Sequence, residues 1–196
     1  MKTVIRPLLL AILLAGVAVQ AHARDWQADA AHTHVGFSVS HLFTSVQGRF
    51  SEFEATIAFD PDDPRKAVVK ATVQVASINT DNAKRDKHLR SRDFFDVEKY
   101  PVLKFESTEM KEWSGKKGKL AGSLSIHGVT KPVVFDVLYH GEGADPWGNV
   151  RAGFRATLTI DRKDYGLNWN EVLETGGFLV GDEVEIRIDA EGILTE

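Results

Sequence analysis

Eight segments of this chain alternate apolar and polar residues with a period of two, and no other feature constrains the fold as strongly. Successive side chains of a strand point to opposite faces, so this period marks strands with one buried and one wet face. In His34–Leu42 the face Val35, Phe37, Val39, His41 opposes His34, Gly36, Ser38, Ser40. In Glu52–Asp60 the apolar face is Phe53, Ala55, Ile57, Phe59. Phe50 lies off that register, which predicts a bulge near Ser51. The same reading gives Val69 to Val75, Leu103 to Ser107, Leu120 to His127, Val133 to His140, Ala152 to Ile160 and Glu183 to Asp189.

Most connections are short and turn-like: Asp60 to Pro64, Ser114 to Gly118, Gly128 to Pro132 and Gly141 to Gly148. Short links favour antiparallel neighbours, because parallel ones need long crossovers. Eight such strands close most economically into an all-β, eight-stranded antiparallel up-and-down barrel, which leaves no exposed edge. A two-sheet sandwich is the alternative. Two connections are long: Ser77–Tyr100 and Arg162–Gly181. The first, between strands 3 and 4, reads as a short helical insertion. Thr80 or Asp81 is its cap, the helix runs to about Arg90, and Ser91 starts a further turn with Phe94, Phe95 and Val97. Pro101 then restarts extended chain.

The N-terminus reads differently. Lys2 and Arg6 precede an apolar run from Leu8 to Val19, and Ala21-His22-Ala23 is a small-x-small site. That is the pattern of a secretory signal peptide, so residues 1–23 are expected to be removed and residues 24–196 to form one domain. The expected location is the periplasm. The chain carries 24 Lys and Arg against 28 Asp and Glu, and loss of Lys2 and Arg6 makes the domain more acidic. An acidic domain argues against nucleic acid as a partner and against electrostatic docking on anionic lipid. With no Cys, thiol chemistry and a lipoprotein anchor are excluded.

The inward faces mix Phe with small residues, among them Ala55, Ala71, Ser107, Gly122, Ala152 and Ala156. An eight-stranded barrel is either filled by side chains or holds one small ligand, and the pattern allows both. If hollow, the interior is long, narrow and aromatic-lined, suited to an extended apolar chain. The lining by register is Phe37, Val39, Phe53, Ile57, Phe105, Leu124, Ile126, Phe135, Phe154 and Leu158.

These segments resemble the YceI-like family. The resemblance rests on His32-Thr-His34-Val-Gly-Phe37, Val46-Gln-Gly48-Arg49-Phe50 and Ser77-Ile-Asn-Thr80. It continues through Arg85-Asp86-Lys-His88-Leu89-Arg90-Ser91-Arg-Asp93-Phe94-Phe95-Asp96, then Gly122 to Val133, then Arg162-Lys-Asp164-Tyr165-Gly166. It implies a lipocalin-like barrel that binds a polyisoprenoid chain such as a prenyl phosphate or an isoprenoid quinone. It also implies roles in stress response or isoprenoid handling, and leaves a homodimer and a transient membrane contact open as partners. The Gly-x-Trp signature of true lipocalins is absent. No cofactor beyond such a bound lipid is expected.

His41 ends an apolar face and belongs near a barrel mouth. Arg85 and His88 come from the first long connection and Arg162 starts the second. If both gather at that mouth, they meet the head group of a guest; otherwise Arg85 to Asp93 is an ion-pair network holding the loop. His32 and His34 have a spacing that suits two metal ligands, but no third ligand follows from it. Nucleophile elbows, nucleotide loops and His-Glu-x-x-His are absent, so no enzyme is expected. The alternatives are an enzyme acting on a prenyl-type lipid and a solid-barrel stress protein without ligand.

Overall fold

The computed structural model describes residues 24–174 and 176–195. The leader reading, residues 1–23, lies outside them. Eleven strands occur among the described residues: β1 Arg24–Ala28, β2 His34–His41, β3 Thr44–Phe50, β4 Phe53–Phe59, β5 Val68–Gln74, β6 Ile78–Asn79, β7 Val102–Ser114, β8 Lys117–Ile126, β9 Val129–Ala144, β10 Val150–Asp161 and β11 Val180–Leu194. One α-helix, α1 Ala83–Arg90, lies between β6 and β7.

The strands occupy eight positions around one closed antiparallel barrel. β11 pairs with β1 through Trp26↔Leu194 and with β2 through Asp189↔His34, so β1 and β2 share one position, broken at residues 29–33. β3 and β4 share the next, β3 against β2 and β4 against β1. β5 against β4 and β6 against β3 make the third. β7 to β11 then follow in chain order, each beside its predecessor. The barrel expectation holds, with α1 between the third and fourth positions. Three strand pieces, β1, β3 and β6, were not read from the alternation. β1 and β6 are short, and in β3 Gly48 interrupts the apolar face between Val46 and Phe50, which dilutes the period.

The bulge expected near Ser51 is the junction of β3 and β4. Ser51 N and Ser51 Oγ both reach Ser77 O, and Glu52 N donates to Ser77 Oγ at 3.1 Å. The shift returns Phe50 to the interior, where it is buried. The helix cap differs from expectation. Asn82 caps α1, its Oδ1 accepting from Arg85 N at 3.0 Å. Asp81 sits at φ +57, and Thr80 is turned to Asp86.

The β8–β9 connection also differs: β8 ends at Ile126, and His127 (φ +51) with Gly128 (φ +77) make a two-residue turn closing Ile126 onto Val129. Positive φ at both central residues matches the twist of the flanking strands. A Cβ on Gly128 would stand 2.5 Å from Tyr100, so this glycine seats the end of the first long connection.

One end of the barrel is filled. Phe59 packs on Trp113, Tyr139 and Phe154 with ring centroids 5.1 to 5.5 Å apart. Trp26 is buried beside them and its Nε1 donates to Phe59 O at 3.2 Å. The Tyr139 hydroxyl donates to Glu142 at 3.0 Å, and Arg24 bonds the same carboxylate. Burial, then that hydrogen bond, push the Tyr139 hydroxyl up to about 12.

Candidate functional site

The rest of the barrel is hollow. An upper cavity of about 580 Å³ lies beneath α1, and a lower one of about 190 Å³ reaches towards the aromatic plug. Phe37, Phe50, Leu103, Ile126 and Ile186 border both, so the two cavities adjoin inside the barrel. The upper volume alone falls in the 300–1,000 Å³ range of small-molecule sites.

The small residues explain the space. Ala55, Ala71 and Ala156 border the lower cavity, where no large side chain replaces their missing volume. Gly48 and Gly122 act differently: each seats a ring, Phe37 over Gly48 and Phe105 over Gly122, where a Cβ would come within 2.3 and 2.5 Å. Ser107 is spent on the fold, its Oγ accepting from Val69 N at 2.8 Å. Ala152 is buried in the core.

Nine of the ten lining residues expected by register border the channel. Val39 is in the upper part, Phe53, Ile57, Phe105, Leu124, Phe135 and Phe154 in the lower, and Phe37 and Ile126 in both. Leu158 does not; it pairs across from Ile186 and packs against the core.

The two long connections meet at the upper mouth, and His41, Arg85, His88 and Arg162 all border the upper cavity. α1 contributes Lys84, Arg85, His88 and Leu89. Their spacing of one, four and five residues puts them on one helix face. The helix is held over the mouth by backbone-directed bonds. Arg90 donates to Ala76 O at 2.8 Å and to Ile78 O at 2.7 Å. Asp86, buried, accepts from Thr80 N at 2.9 Å and from Thr80 Oγ1.

The four expected mouth residues differ in what they have left to offer. Arg85 Nε donates to Thr80 Oγ1 at 2.8 Å and Nη2 to Thr80 O at 2.7 Å, which leaves Nη1 for another acceptor. His88 Nε2 meets Asp93 at 2.9 Å, and its ring stands edge-on to Phe94 and Trp169. His41 sits at the end of β2, opposite Val180. Arg162 is committed to the loop. Its Nε donates to Gly181 O at 2.8 Å, and its Nη1 to Leu167 O and, at 2.9 Å, to Trp169 O. Burial lowers its pKa, offset in part by Asp182 and Asp161. Asp182 is 3.5 Å away and is shared with Lys163 at 2.7 Å. Arg162 therefore places a positive charge, paired with Asp182, in the cavity wall.

Lys84, Val46, Leu89, Leu167, Trp169 and Leu179 also border the upper cavity and were not singled out from sequence. Lys84 carries a readable signal, four residues before His88. The Leu167, Trp169 and Leu179 positions do not, because an irregular loop has no period.

His32 and His34 do not converge. His32 Nδ1 meets Asp29 at 2.8 Å, and its ring faces Glu191 at 3.9 Å. Arg151 already spans these carboxylates, at 2.6 Å to Asp29 and 2.5 Å to Glu191. A guanidinium thus fills the position a cation would take. Arg151 also lies 2.7 Å from Asp145.

A closed antiparallel barrel, plugged at one end and hollow beneath a helical cap at the other, is an internal-cavity barrel in class. The chain belongs to the YceI-like family, whose model matches residues 26–192. It is 42% identical over 160 residues to a UPF0312 protein of Pseudomonas syringae pv. syringae, covering 80% of this chain and 82% of that one. It is 45% identical over 135 residues to a UPF0312 protein of Photorhabdus laumondii, covering 68% and 70%. Among solved structures, Burkholderia cenocepacia BcnA superposes with a TM-score of 0.75 at 26% identity, covering 84% of this chain and 98% of that one. The Campylobacter jejuni YceI protein superposes at 0.68 and 30% identity, covering 77% and 86%. A polyisoprenoid binding domain from Saccharophagus degradans shares the fold at 0.62 and 15% identity, covering 89% and 99%.

Proposed function

We propose that this protein is a periplasmic carrier that sequesters a long isoprenoid lipid, its chain in the barrel channel and its head group at the α1 mouth. One observation carries the reading: the ionisable side chains that border the apolar upper cavity are all cationic or imidazole groups. Lys84, Arg85, Arg162, His41 and His88 border the upper cavity, and no carboxylate does so among the described lining residues. In a chain with a net charge of −4 this local excess of positive charge is selective. It favours a polyprenyl phosphate over an uncharged isoprenoid quinone, because charge-assisted bonds to phosphate are about twice as strong as neutral ones. The Saccharophagus neighbour's polyisoprenoid binding fits the same channel, and the leader-like N-terminus supports export.

The energetics suit a carrier. Each buried CH₂ contributes about 0.8 kcal/mol, so ten of them supply about 8 kcal/mol before the cost of ordering the chain. That gain needs no covalent step, and we read the protein as a binding protein rather than an enzyme.

The test is equilibrium binding of a polyprenyl phosphate and of the matching polyprenol to delipidated protein. The reading expects both to bind and the phosphate to bind more tightly, with the difference shrinking as salt is raised. Equal affinities would favour the quinone alternative, and no binding of either would remove the carrier reading. Turnover of the phosphate would put the enzyme alternative first.

A further inference from the structure

Four of the large apolar side chains exposed among the described residues, Leu42, Phe43, Val172 and Phe178, stand together at the cavity mouth. Leu42 and Phe43 form the β2–β3 turn and are 48% and 97% exposed. Val172 and Phe178 face each other across an isolated bridge in the second long connection, 75% and 58% exposed. Leu42 N donates to Leu179 O at 3.1 Å, which ties the two tips side by side. Each tip continues directly from cavity wall: His41 and Val180 pair with one another and both border the upper cavity.

The β2–β3 turn carries a second sign. Leu42 adopts φ +51, a left-handed conformation in which Gly or Asn is cheaper. A leucine kept there, about half exposed beside a phenylalanine almost wholly in water, costs stability and solubility. Such outliers point to a role outside the fold.

We propose that these two tips are a membrane-docking surface, inserting Leu42, Phe43, Val172 and Phe178 into a bilayer while the channel exchanges its guest. This rests on the lipid-carrier reading and names the partner of that same mouth. A bilayer fits better than a second copy or another protein for two reasons. The apolar groups project from two hairpin-like tips, suited to insertion between head groups, instead of forming a broad flat face. They also rim the route by which an apolar chain leaves or enters the channel, so insertion keeps that chain out of water. The charges around them are mixed: Lys163 Nζ lies 5.4 Å over the Phe178 ring and is paired with Asp182, while Glu171 and Glu174 are exposed in the same loop. Docking is therefore driven by apolar insertion and needs no anionic lipid.

The experiment compares wild-type mature protein with the Phe43→Ser/Phe178→Ser double variant on neutral phosphatidylcholine vesicles, by flotation. Both substituted side chains are exposed, so a matched thermal transition is expected. We expect the wild type to float with the vesicles at low and high salt, and the variant's partition to fall by a factor on the order of 100. Equal flotation of the two proteins overturns the proposal. So does a variant that loses self-association in light scattering while keeping its vesicle binding, since the tips would then be a contact between copies. Loading from detergent-solubilised polyprenyl phosphate separates the two readings. It should be unchanged in the variant, and its failure in both proteins would count against the carrier reading while flotation still decides the docking surface.

Discussion

Phe37 lies directly across from Gly48 on the neighbouring strand, and its ring covers the glycine so closely that a Cβ there would stand 2.3 Å from the ring edge. Phe37 borders both cavities, so this pair stands where they adjoin. Gly48→Ala pushes the ring into the empty space. We expect a loss of about 1 kcal/mol, at the mild end for an overpacked site because the cavity can absorb the ring. Lipid capacity should fall more than stability does. Chemical denaturation and equilibrium loading of the same sample check both, and unchanged loading would contradict the geometry.

Arg162 is a scaffold for the second long connection before it is anything else. Arg162→Met leaves the carbonyls of Gly181, Leu167 and Trp169 without their donor. The expected cost is about 2–3 kcal/mol, as for buried polar groups left unsatisfied. Arg162→Lys should restore only part of it, because an ammonium cannot match a planar fork spread over three acceptors. Hydrogen exchange should show the loss concentrated in residues 162–181.

Lys84 and Arg85 supply the charge on α1 that remains free to meet a ligand. Lys84→Gln/Arg85→Gln should weaken polyprenyl phosphate binding about tenfold and leave the polyprenol within about twofold. A parallel loss for both lipids would mean that the pair holds the helix in place and does not read the head group. Arg85→Lys, which keeps the charge but cannot hold both Thr80 atoms, helps to separate the two roles.

Acid should loosen the junction between β1 and β2. Hydrogen bonds from Arg151, then from His32 and from Ala31 N, lower the Asp29 carboxyl from 3.8 to about 2. A carboxyl lowered in the folded state adds stability that is fully present above its unfolded value and is lost as pH falls through its folded one. The Asp29 contribution is therefore complete above 3.8 and drains away towards about 2. Asp145 is lowered in the same network, by Arg151 first. Thermal melts across this range should show a falling transition temperature. The fall should be shallower in Arg151→Met, which is less stable at neutral pH.

The barrel and much of its lining were legible because strand alternation is a direct consequence of backbone geometry. Phe37, Phe105 and Phe135 are inward by register whatever the loops do. The β3–β4 offset was visible in Phe50, which lies off the register of Phe53, Ala55, Ile57 and Phe59. What alternation could not show was whether small residues leave space or seat a ring: Ala55 borders a cavity while Gly122 lies under Phe105, and both read alike. The mouth was only partly legible. His41, Arg85 and His88 were placed there by strand end and helix position. The structural commitment of Arg162 depends on carbonyls five to nineteen residues away in an irregular loop, and no periodicity encodes it. Leu158 was assigned to the lining by correct register; Ala156 and Ile160 on the same β10 face do border the cavities, but Leu158 itself packs against the core.

The most direct measurement is native mass spectrometry of the protein purified from its own host, followed by release of any bound mass into organic solvent. The account predicts one isoprenoid lipid per chain, carrying an anionic head group. A protein that arrives empty, and takes up neither added polyprenyl phosphate nor quinone, would contradict it.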